Sequence, residues 1–261
     1  MEWAMKRKIL YVSALVGVVL LIGAYPMYRA LFPSGTCFDN KQNGGEAGVD
    51  CGGACTLYCT SQVKPLRVVW AEAFSFAPDH YDVGAYIENP NIDAGIKSAR
   101  YTVRIFDATG QTIGERIGAI EISPRAPTFL FEGNFTLLTP PAKVEVVFDD
   151  AYLESMVSAR PSAPVLVTKN QRLKEVTTSP RFDAVLVNTD PLNSVSSVSL
   201  GAIIFDSARN PIAISRTIVE EIEKGEEQQI FFTWPNRFLG VEEGERLITD
   251  IIIMTPAVFE K

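Results

Sequence analysis

The pattern of hydrophobic and polar residues divides the chain into one apolar run near its beginning and a long region of short, alternating segments. Residues 9–25 form an uncharged, predominantly apolar run, and with residues 26–28 it reaches about 20 residues, the length that crosses a bilayer core. Basic residues at positions 6–8 precede the run. The positive-inside rule therefore predicts a cytoplasmic tail over residues 1–8, a transmembrane helix over residues 9–32 and export of the remaining chain.

A cleaved secretory signal is the alternative interpretation of this run. The run is longer than the usual apolar region of a signal peptide, about 7 to 15 residues, and no A-x-A cleavage site follows it. Both interpretations export everything after Arg29. The predicted localisation is the plasma membrane, with a single pass, a cytoplasmic N-terminus and the bulk of the chain extracytoplasmic.

Beyond Lys64 the helical period disappears, and apolar residues occupy every second position of short runs that end in turn residues. Two turn motifs occur in both halves of this region: Asn89, Pro90, Asn91 and Asp107 in the first half, and Asn188 and Asp206 in the second. The two asparagines and the two aspartates are each 99 residues apart. A fixed offset of this kind indicates an internal duplication.

The side chains predicted to face inward follow the same offset: Val83, Ala85, Ile87, Ala99, Tyr101, Val103, Ile105, Phe131 and Phe135 in the first copy, and Phe182, Ala184, Leu186, Val198, Leu200, Ala202, Ile204, Ile230 and Trp234 in the second. In the first copy Arg100, Thr102 and Arg104 alternate with them. This alternation predicts antiparallel strands with one buried face and one solvated face.

Each copy is about 90 residues long with strands every 8 to 12 residues, which is typical of an immunoglobulin-like sandwich. The predicted fold is mostly β: an N-terminal single transmembrane helix, a small disulfide-rich module and two tandem immunoglobulin-like antiparallel β-sandwich domains. The module is assigned to residues 36–60, the first sandwich to residues 64–150 and the second to residues 165–258. Residues 151–164 are predicted to be a semi-rigid linker, because they contain Pro161 and Pro164.

All four cysteines of the chain, Cys37, Cys51, Cys55 and Cys59, lie within 23 positions. In an exported chain an even cysteine number predicts disulfides, here two, with three possible connectivities. A structural zinc site with four thiolate ligands is the alternative, although the spacing lacks the two separated C-x-x-C pairs of a zinc ribbon.

Oxygen-bearing side chains accompany these cysteines: Asp39, Asn43, Glu46 and Asp50. Glycines between them let the loop fold back, so that several oxygens could converge on one calcium ion; the sequence establishes no cofactor, and calcium in this module is a hypothesis. The spacing is not that of an EF-hand loop. Tight turns use the same residue types, which is the simpler interpretation.

Two family resemblances add to this interpretation. Residues 37–55 resemble the motif C-x-D-G-x-x-N-x-x-E-x-x-x-D-C-G-G-x-C of many exported or surface-attached bacterial proteins, with Asn40 in place of the usual glycine. That resemblance implies a surface module without catalytic activity. The strand followed by Asn89-Pro90-Asn91, together with residues 105–110, resembles the FxLYD and water-stress (WHy) sandwich domains, although the second copy has Asn188-Thr189-Asp190-Pro191 and Arg209 at the corresponding positions.

Sequence motifs for catalysis are absent. His80, the one histidine, lies in a polar loop, and no G-x-S-x-G, HExxH, P-loop or G-x-G-x-x-G sequence occurs. A net charge of -7 and a pI near 4.9 exclude a nucleic-acid partner, because phosphate neutralisation requires a basic face. We therefore expect no enzymatic activity.

The expected function is that of a non-catalytic, membrane-anchored extracytoplasmic protein that presents two β-sandwich domains for protein binding, adhesion or envelope scaffolding. Its expected partners are the membrane and an unknown protein or surface ligand. The alternative is an accessory ectodomain subunit of a membrane enzyme, secretion or transport complex. A large apolar patch on one sheet face would favour the subunit, because permanent partners bury such patches.

Overall fold

The computed structural model describes residues 2–31, 35–160, 165–242 and 244–259. The chain divides into two compact units, Met1–Cys55 and Thr56–Lys261. Four parts of the predicted segments lie outside the described residues: Met1 of the tail, Phe32 of the transmembrane prediction, residues 161–164 of the linker and Glu243 of the second sandwich.

The N-terminal unit begins with one long helix, α1, over Glu2–Leu31. Within it Met5–Tyr28 is long and apolar enough to cross a membrane, and its most apolar window is entirely unburied. At 1.5 Å per residue this 24-residue stretch measures about 36 Å, which exceeds the roughly 30 Å of a bilayer core. The predicted apolar helix is confirmed, and by length and composition it could be an anchor or a signal.

In the second unit, the first copy of the repeat forms two antiparallel sheets. Its strands are β1 Arg67–Ala77, β2 His80–Glu88, β3 Ala94–Phe106, β4 Thr112–Ile122, β5 Thr128–Thr136 and β6 Lys143–Phe148. β2 lies between β1 and β5, and β3 pairs with both β4 and β6.

The second copy has the same connections. Its strands are β8 Leu166–Lys174, β9 Arg181–Asn188, β10 Val195–Phe205, β11 Pro211–Ile222, β12 Glu227–Thr233 and β13 Ile248–Met254. β9 lies between β8 and β12, and β10 lies between β11 and β13. The order of pairing matches that of the first copy, so the duplication inferred from the sequence is also a duplication of the fold.

Each pair of sheets encloses its own hydrophobic core. The side chains predicted to face inward form one buried cluster in the first copy and a second in the other, with a single exception. Val83 and its equivalent Phe182 are both fully buried. Burial of a large apolar side chain contributes about 1.5–3 kcal/mol. These cores explain how both sandwiches hold together without an internal disulfide.

Phe131 is the exception, because β5 contains a bulge. The pairing of β2 with β5 shifts between Tyr81 and Val83, where β5 has one residue more than β2. An extra residue exchanges the inward and outward side chains of a strand. Leu130 therefore takes the buried place in the first core, and Phe131 lies on the outer face of its sheet.

Residues 150–160 form packed structure, in contrast to the predicted linker over residues 151–164. A 3-10 helix spans Asp150–Glu154, and strand β7 spans Val157–Arg160. Tyr152 and Met156 are buried in the first core. Because these apolar side chains lose solvent contact on packing, this part of the chain is more stable against the sandwich than as an extended spacer.

The last described strand, β14 Val258–Phe259, returns to the first sandwich. β7 pairs with the beginning of β3, and β14 pairs with β7, which gives the sheet order β14-β7-β3-β4. The backbone N–H of Ala257 also donates to the carboxylate of Glu121 on β4. The first sandwich is thus completed by residues that follow the second sandwich in the chain, within and just beyond the predicted end of the second domain at residue 258.

A third hydrophobic core joins the two sandwiches. Here the outer face of the sheet β1–β2–β5 packs on the outer face of the sheet β11–β10–β13. The buried side chains are Phe74, Phe129, Ile203, Ile214 and Ile252, with Trp70, Tyr86, Phe131, Phe205 and Met254 packed against them. The interface is therefore a layer of aliphatic and aromatic side chains contributed by both copies.

Two glycines allow this close approach. A Cβ atom at Gly201 would lie 2.1 Å from Cδ1 of Phe129, and a Cβ atom at Gly84 would lie 2.8 Å from Cδ1 of Ile214. Each glycine therefore receives a side chain of the opposite sheet. The apolar sheet face that would favour a permanent partner does exist, but the other copy of the repeat covers it.

Candidate functional site

The Cys-rich module is closed by disulfides. Cys37 and Cys55 are bonded to each other, with their Cα atoms 5.7 Å apart, and Cys51 and Cys59 are disulfide-bonded as well. The predicted disulfides are confirmed. Because structural zinc binds thiolates, which disulfide sulfurs are not, the alternative of a four-thiolate zinc site is ruled out.

The side chains predicted as calcium ligands bind backbone and amide groups of the module. Asp50 accepts hydrogen bonds from the backbone N–H groups of Asp39 and Asn40, at 3.0 and 2.9 Å. Glu46 accepts from the N–H groups of Asn43 and Asp50, at 3.2 and 3.3 Å. The side-chain amide of Asn43 donates to Asp39 and lowers the pKa of that carboxyl group. The structure thus brings all four predicted ligands together and gives the three carboxylates a role in shaping the turns.

One cluster of side chains in this module has the spacing of a cation site. Glu46 offers a carboxylate oxygen close to the sulfurs of Cys37 and Cys55, with the three atoms within 4.8 Å of one another. Oδ1 of Asn43 is buried and has no hydrogen-bond partner among the described residues. Because the sulfurs are bonded to each other, oxygen atoms are what the module could offer a cation.

The first predicted turn motif has the same hydrogen bonds in both copies. The side-chain amide of Asn89 donates to the carbonyls of Ala94 and Ser123, and its side-chain oxygen accepts from the backbone N–H of Asn91. Asn188 accepts in the same way from Asp190. The carbonyls that accept from Asn188 are those of Asn193, Ile222 and Glu223. Both asparagines are buried. Each hydrogen-bonds the end of its strand to the loop that follows it and to a second loop.

The second predicted turn motif is also duplicated. Asp107 accepts from the backbone N–H groups of Thr109 and Gln111, and Asp206 accepts from those of Ala208 and Asn210. A side-chain hydrogen bond from Thr109 is the main cause that lowers the pKa of Asp107, and one from Asn210 does the same for Asp206. Both motifs are turn-forming, as predicted.

His80 has local contacts of a structural kind. Its Nδ1 atom lies 2.8 Å from the carbonyl oxygen of Pro78, and its ring packs edge-on against Phe76 at 5.9 Å. No acid, base or nucleophile contacts this ring among the described residues. Its surroundings resemble those of a turn-stabilising side chain.

A charged group at the edge of the first core was not predicted. The hydroxyl of Tyr101 donates to Glu132, and Arg116 binds the other oxygen of Glu132 at 3.0 Å. Gly118 makes room for this phenol, since a Cβ there would lie 2.3 Å from the hydroxyl oxygen. Burial raises the pKa of Tyr101, and the bond to Glu132 raises it further. The tyrosine therefore remains a hydrogen-bond donor at ordinary pH, and the group links β4 to β5.

A cleft of about 530 Å³ opens where the two sandwiches diverge. One wall is the connection between β4 and β5, and the other is formed by β10, β11 and the segment after β13. Its floor includes Phe129, Leu166, Ile253 and Met254, and its rim includes Arg216. Ligand pockets of proteins commonly have volumes of about 300–1,000 Å³ and an apolar lining with a few polar groups. The cleft could not be found from the sequence, because its walls come from distant parts of the chain.

Comparisons with known proteins do not assign a family. No family model and no curated protein matches the chain. Among solved structures, the C-terminal globular domain of an oligosaccharyltransferase from Pyrococcus abyssi aligns with a TM-score of 0.22 at 15% identity, over 76% of this chain and 48% of that one. A β-glucuronidase from glycoside hydrolase family 2 aligns with a TM-score of 0.20 at 9% identity, over 59% of this chain and 20% of the other.

A tandem CBM22 domain of Xyn10C from Paenibacillus barcinonensis aligns with a TM-score of 0.15 at 10% identity, over 78% of this chain and 90% of that one. The chain spans about a fifth of the β-glucuronidase and about half of the oligosaccharyltransferase domain. Likenesses at these TM-scores carry no argument about function.

Proposed function

We propose that the chain is a non-catalytic, membrane-anchored protein that presents a rigid double sandwich outside the cytoplasm for binding another protein. The third hydrophobic core carries this proposal. A protein that presents a binding surface gains affinity when that surface is held in one conformation before the partner arrives. Packing of Phe74 and Phe129 against Ile203 and Ile214 supplies such rigidity.

The apolar helix and the disulfides support the location. α1 has the length of a membrane anchor, and disulfide-bonded cysteines belong to oxidising compartments outside the cytoplasm. We also propose that the two sandwiches are related to the FxLYD and water-stress sandwich domains, on the basis of the duplicated turn motifs.

Two equivalent loops are the proposed contact surface. Ile92 follows Asn91 between β2 and β3, and Leu192 occupies the corresponding loop between β9 and β10. Their side chains are 60% and 79% exposed, whereas Asn89 and Asn188 beneath them are buried and fully hydrogen-bonded. Exposed apolar side chains on rigid loops are suited to protein contacts.

A photo-crosslinking experiment in the native membrane tests the proposal. A crosslinking amino acid replaces Ile92 or Leu192 in the full chain, with Gln171 on β8 as the control position. We expect one protein partner to be captured from both loops and not from Gln171. Equal labelling from all three positions, or no captured protein, would contradict it.

The same membrane preparation also tests the accessory-subunit alternative and the calcium hypothesis. A partner that copurifies in a fixed 1:1 ratio through every step would indicate the accessory-subunit alternative. For calcium, the capture is repeated with a chelator. Loss of the partner, restored by added calcium, supports a metal-stiffened module, whereas an unchanged yield contradicts a role for calcium in partner binding.

A further inference from the structure

The cleft between the sandwiches has an apolar floor and an incompletely paired polar rim. Phe129 is 1% exposed. The backbone N–H of Phe129 donates a hydrogen bond to the thioether sulfur of Met254 at 3.3 Å. Leu166 and Ile253 extend this floor into the second sandwich. An apolar group of a ligand would thus be desolvated on entering the cleft, which is the main driving force of small-molecule binding.

The rim carries two charged groups that already have partners. Arg125 donates to the carbonyl of Ile92 at 2.9 Å and forms an ion pair with Asp93 at 2.8 Å. Glu121 accepts the backbone N–H of Ala257. Asp93 neutralises the charge of Arg125, whereas Glu121 has one oxygen occupied by a neutral N–H donor and keeps its negative charge at the rim.

Arg216 differs from these two. It is exposed, its guanidinium carbon lies 5.4 Å from the centre of the Phe131 ring, and its charge acts on the hydroxyl of Tyr101, where it favours a lower pKa. No carboxylate forms an ion pair with it among the described residues. The hydroxyl groups of Ser197 and Ser199 line the same cleft and likewise donate no hydrogen bond to the described part of the chain. A cation with five N–H donors and two hydroxyl donors therefore border one apolar cavity.

From this arrangement we infer that the cleft binds a small organic anion, with an apolar body on the floor at Phe129 and an anionic head group at Arg216. Arginine binds carboxylate and sulfonate groups through two parallel N–H donors, and such bonds are stronger than those between neutral groups. The chain as a whole has a net charge of -7, so attraction of an anion depends on this local cation rather than on the overall field.

The test compares a charged probe with a neutral probe of the same shape. The full chain is placed in nanodiscs of zwitterionic phosphatidylcholine, and 4-phenylbutyrate and 4-phenylbutanamide are titrated while ligand-observed NMR follows binding. Empty nanodiscs provide the background. We expect the carboxylate to bind about tenfold more tightly than the amide.

Three variants locate the binding. Arg216→Gln should reduce the affinity for the carboxylate to that for the amide, whereas Arg172→Gln, an exposed cation on β8 outside the cleft, should change neither. Ala126→Phe, which fills the cleft from the β4–β5 connection, should abolish the binding of both probes. If Ala126→Phe fails to fold by thermal unfolding, Ser199→Leu fills the cleft from the opposite wall.

Several outcomes would overturn the inference. Equal affinity for the two probes, or an unchanged carboxylate affinity in Arg216→Gln, refutes the anion assignment. An equal loss in Arg172→Gln means that any surface cation suffices. Binding that persists in a folded, filled variant places the ligand elsewhere.

Discussion

The buried asparagines show how one side chain can fix a turn. Asn188 is fully buried, yet its amide donates to three carbonyls and its oxygen accepts a backbone N–H. No aliphatic residue of similar volume can supply these bonds, and the backbone groups would be left without partners. Asn89 meets the same demand in the first copy, which explains why the two positions keep the same residue type.

We therefore expect Asn188→Ala to lower the free energy of unfolding by about 2 kcal/mol, because buried backbone groups lose their partners. For the unit Thr56–Lys261, which we expect to unfold as a whole, a loss of about 2 kcal/mol should lower the thermal midpoint by about 4–8 °C. Circular dichroism of the full chain during heating measures the midpoint. The exposed amide Gln171 provides the control, and Gln171→Ala should leave the midpoint unchanged; an equally stable Asn188→Ala would show that the side chain is dispensable.

Asp82 should make the stability depend on pH in the acidic range. Burial raises its pKa above the ordinary value of 3.8, although the N–H of Asn134 and the charge of Arg116 act in the opposite direction. The folded state therefore binds the proton more tightly than the unfolded state. The resulting contribution to stability is fully present below pH 3.8 and is lost as the pH rises through the folded-state pKa.

It follows that Asp82→Asn should be more thermally stable than the wild type at pH 7, because the amide is not charged and can still accept from Asn134. The difference should disappear near pH 3.5. Midpoints measured between pH 3.5 and 7 test this expectation, with the exposed Asp250→Asn as control. A variant that is less stable at pH 7 would show that the carboxylate charge is favourable in the fold.

At the scale of elements, β3 and β10 hold equivalent places in the two copies but differ on one face. On β3 the outward residues include Thr102 and Arg104, whereas on β10 their equivalents are Gly201 and Ile203. Leu200 to Ile204 are consequently all buried, and a continuous apolar run of this kind is the mark of a strand covered on both faces.

Much of the fold could be predicted from alternation and the repeat, but not everything. The continuous apolar run on β10 is a sequence signal for the third core, but a search for alternating residues alone does not detect it. The bulge that turns Phe131 outward depends on Asn134 and its neighbours adopting an unusual backbone, with φ of 64° at Asn134. Pairing of β7 with β14 joins distant segments of two to four residues, which are too short for any period to be visible.

Gly201→Ala should destabilise the protein, since its Cβ would lie 2.1 Å from the ring of Phe129. Alanine is normally favoured over glycine within a strand by about 0.5–1 kcal/mol. A loss of about 2 kcal/mol is therefore opposite in sign to strand propensity and typical of overpacking. Ser199→Ala on the same face of β10 is the matched control; a thermal midpoint that rises in Gly201→Ala would contradict the close packing.

Removal of the Cys37–Cys55 disulfide should act locally. The bond closes a loop between residues 18 apart, and loops of about this length gain roughly 3 kcal/mol from such a bond in the chain-entropy account. Cys37→Ser with Cys55→Ser should therefore make residues 37–55 sensitive to limited proteolysis. The thermal midpoint of the sandwiches serves as the internal control and should not change, whereas unaltered proteolysis would show that the carboxylate-bonded turns are sufficient.

At the scale of the whole molecule, the third core should make the two sandwiches unfold together. Phe129 is buried between them, and Phe→Ala substitutions at such sites cost about 3–5 kcal/mol. We expect one calorimetric transition for the wild type and two for Phe129→Ala, because the sandwiches would then unfold separately. Phe231→Ala, an exposed phenylalanine on β12, should retain one transition; two transitions in the wild type would refute the coupling.

The two faces that lie away from the third core carry ion pairs. Arg104 binds Glu115 on the outer sheet of the first sandwich, and Lys169 binds Glu227 on that of the second. Exposed pairs of this kind contribute about 0–1 kcal/mol to stability. Charged outer faces disfavour further sheet-on-sheet packing, so we expect the stacking that joins the two copies to stop there instead of continuing from one molecule to the next.

The return of β14 to the first sandwich has a consequence for biosynthesis. A ribosome delivers β1 to β6 early, but Val258 and Phe259 emerge only after the whole second sandwich has been made. During that interval one side of β7 has no neighbouring strand, so a nascent chain would expose free backbone groups there until residue 259 leaves the exit tunnel.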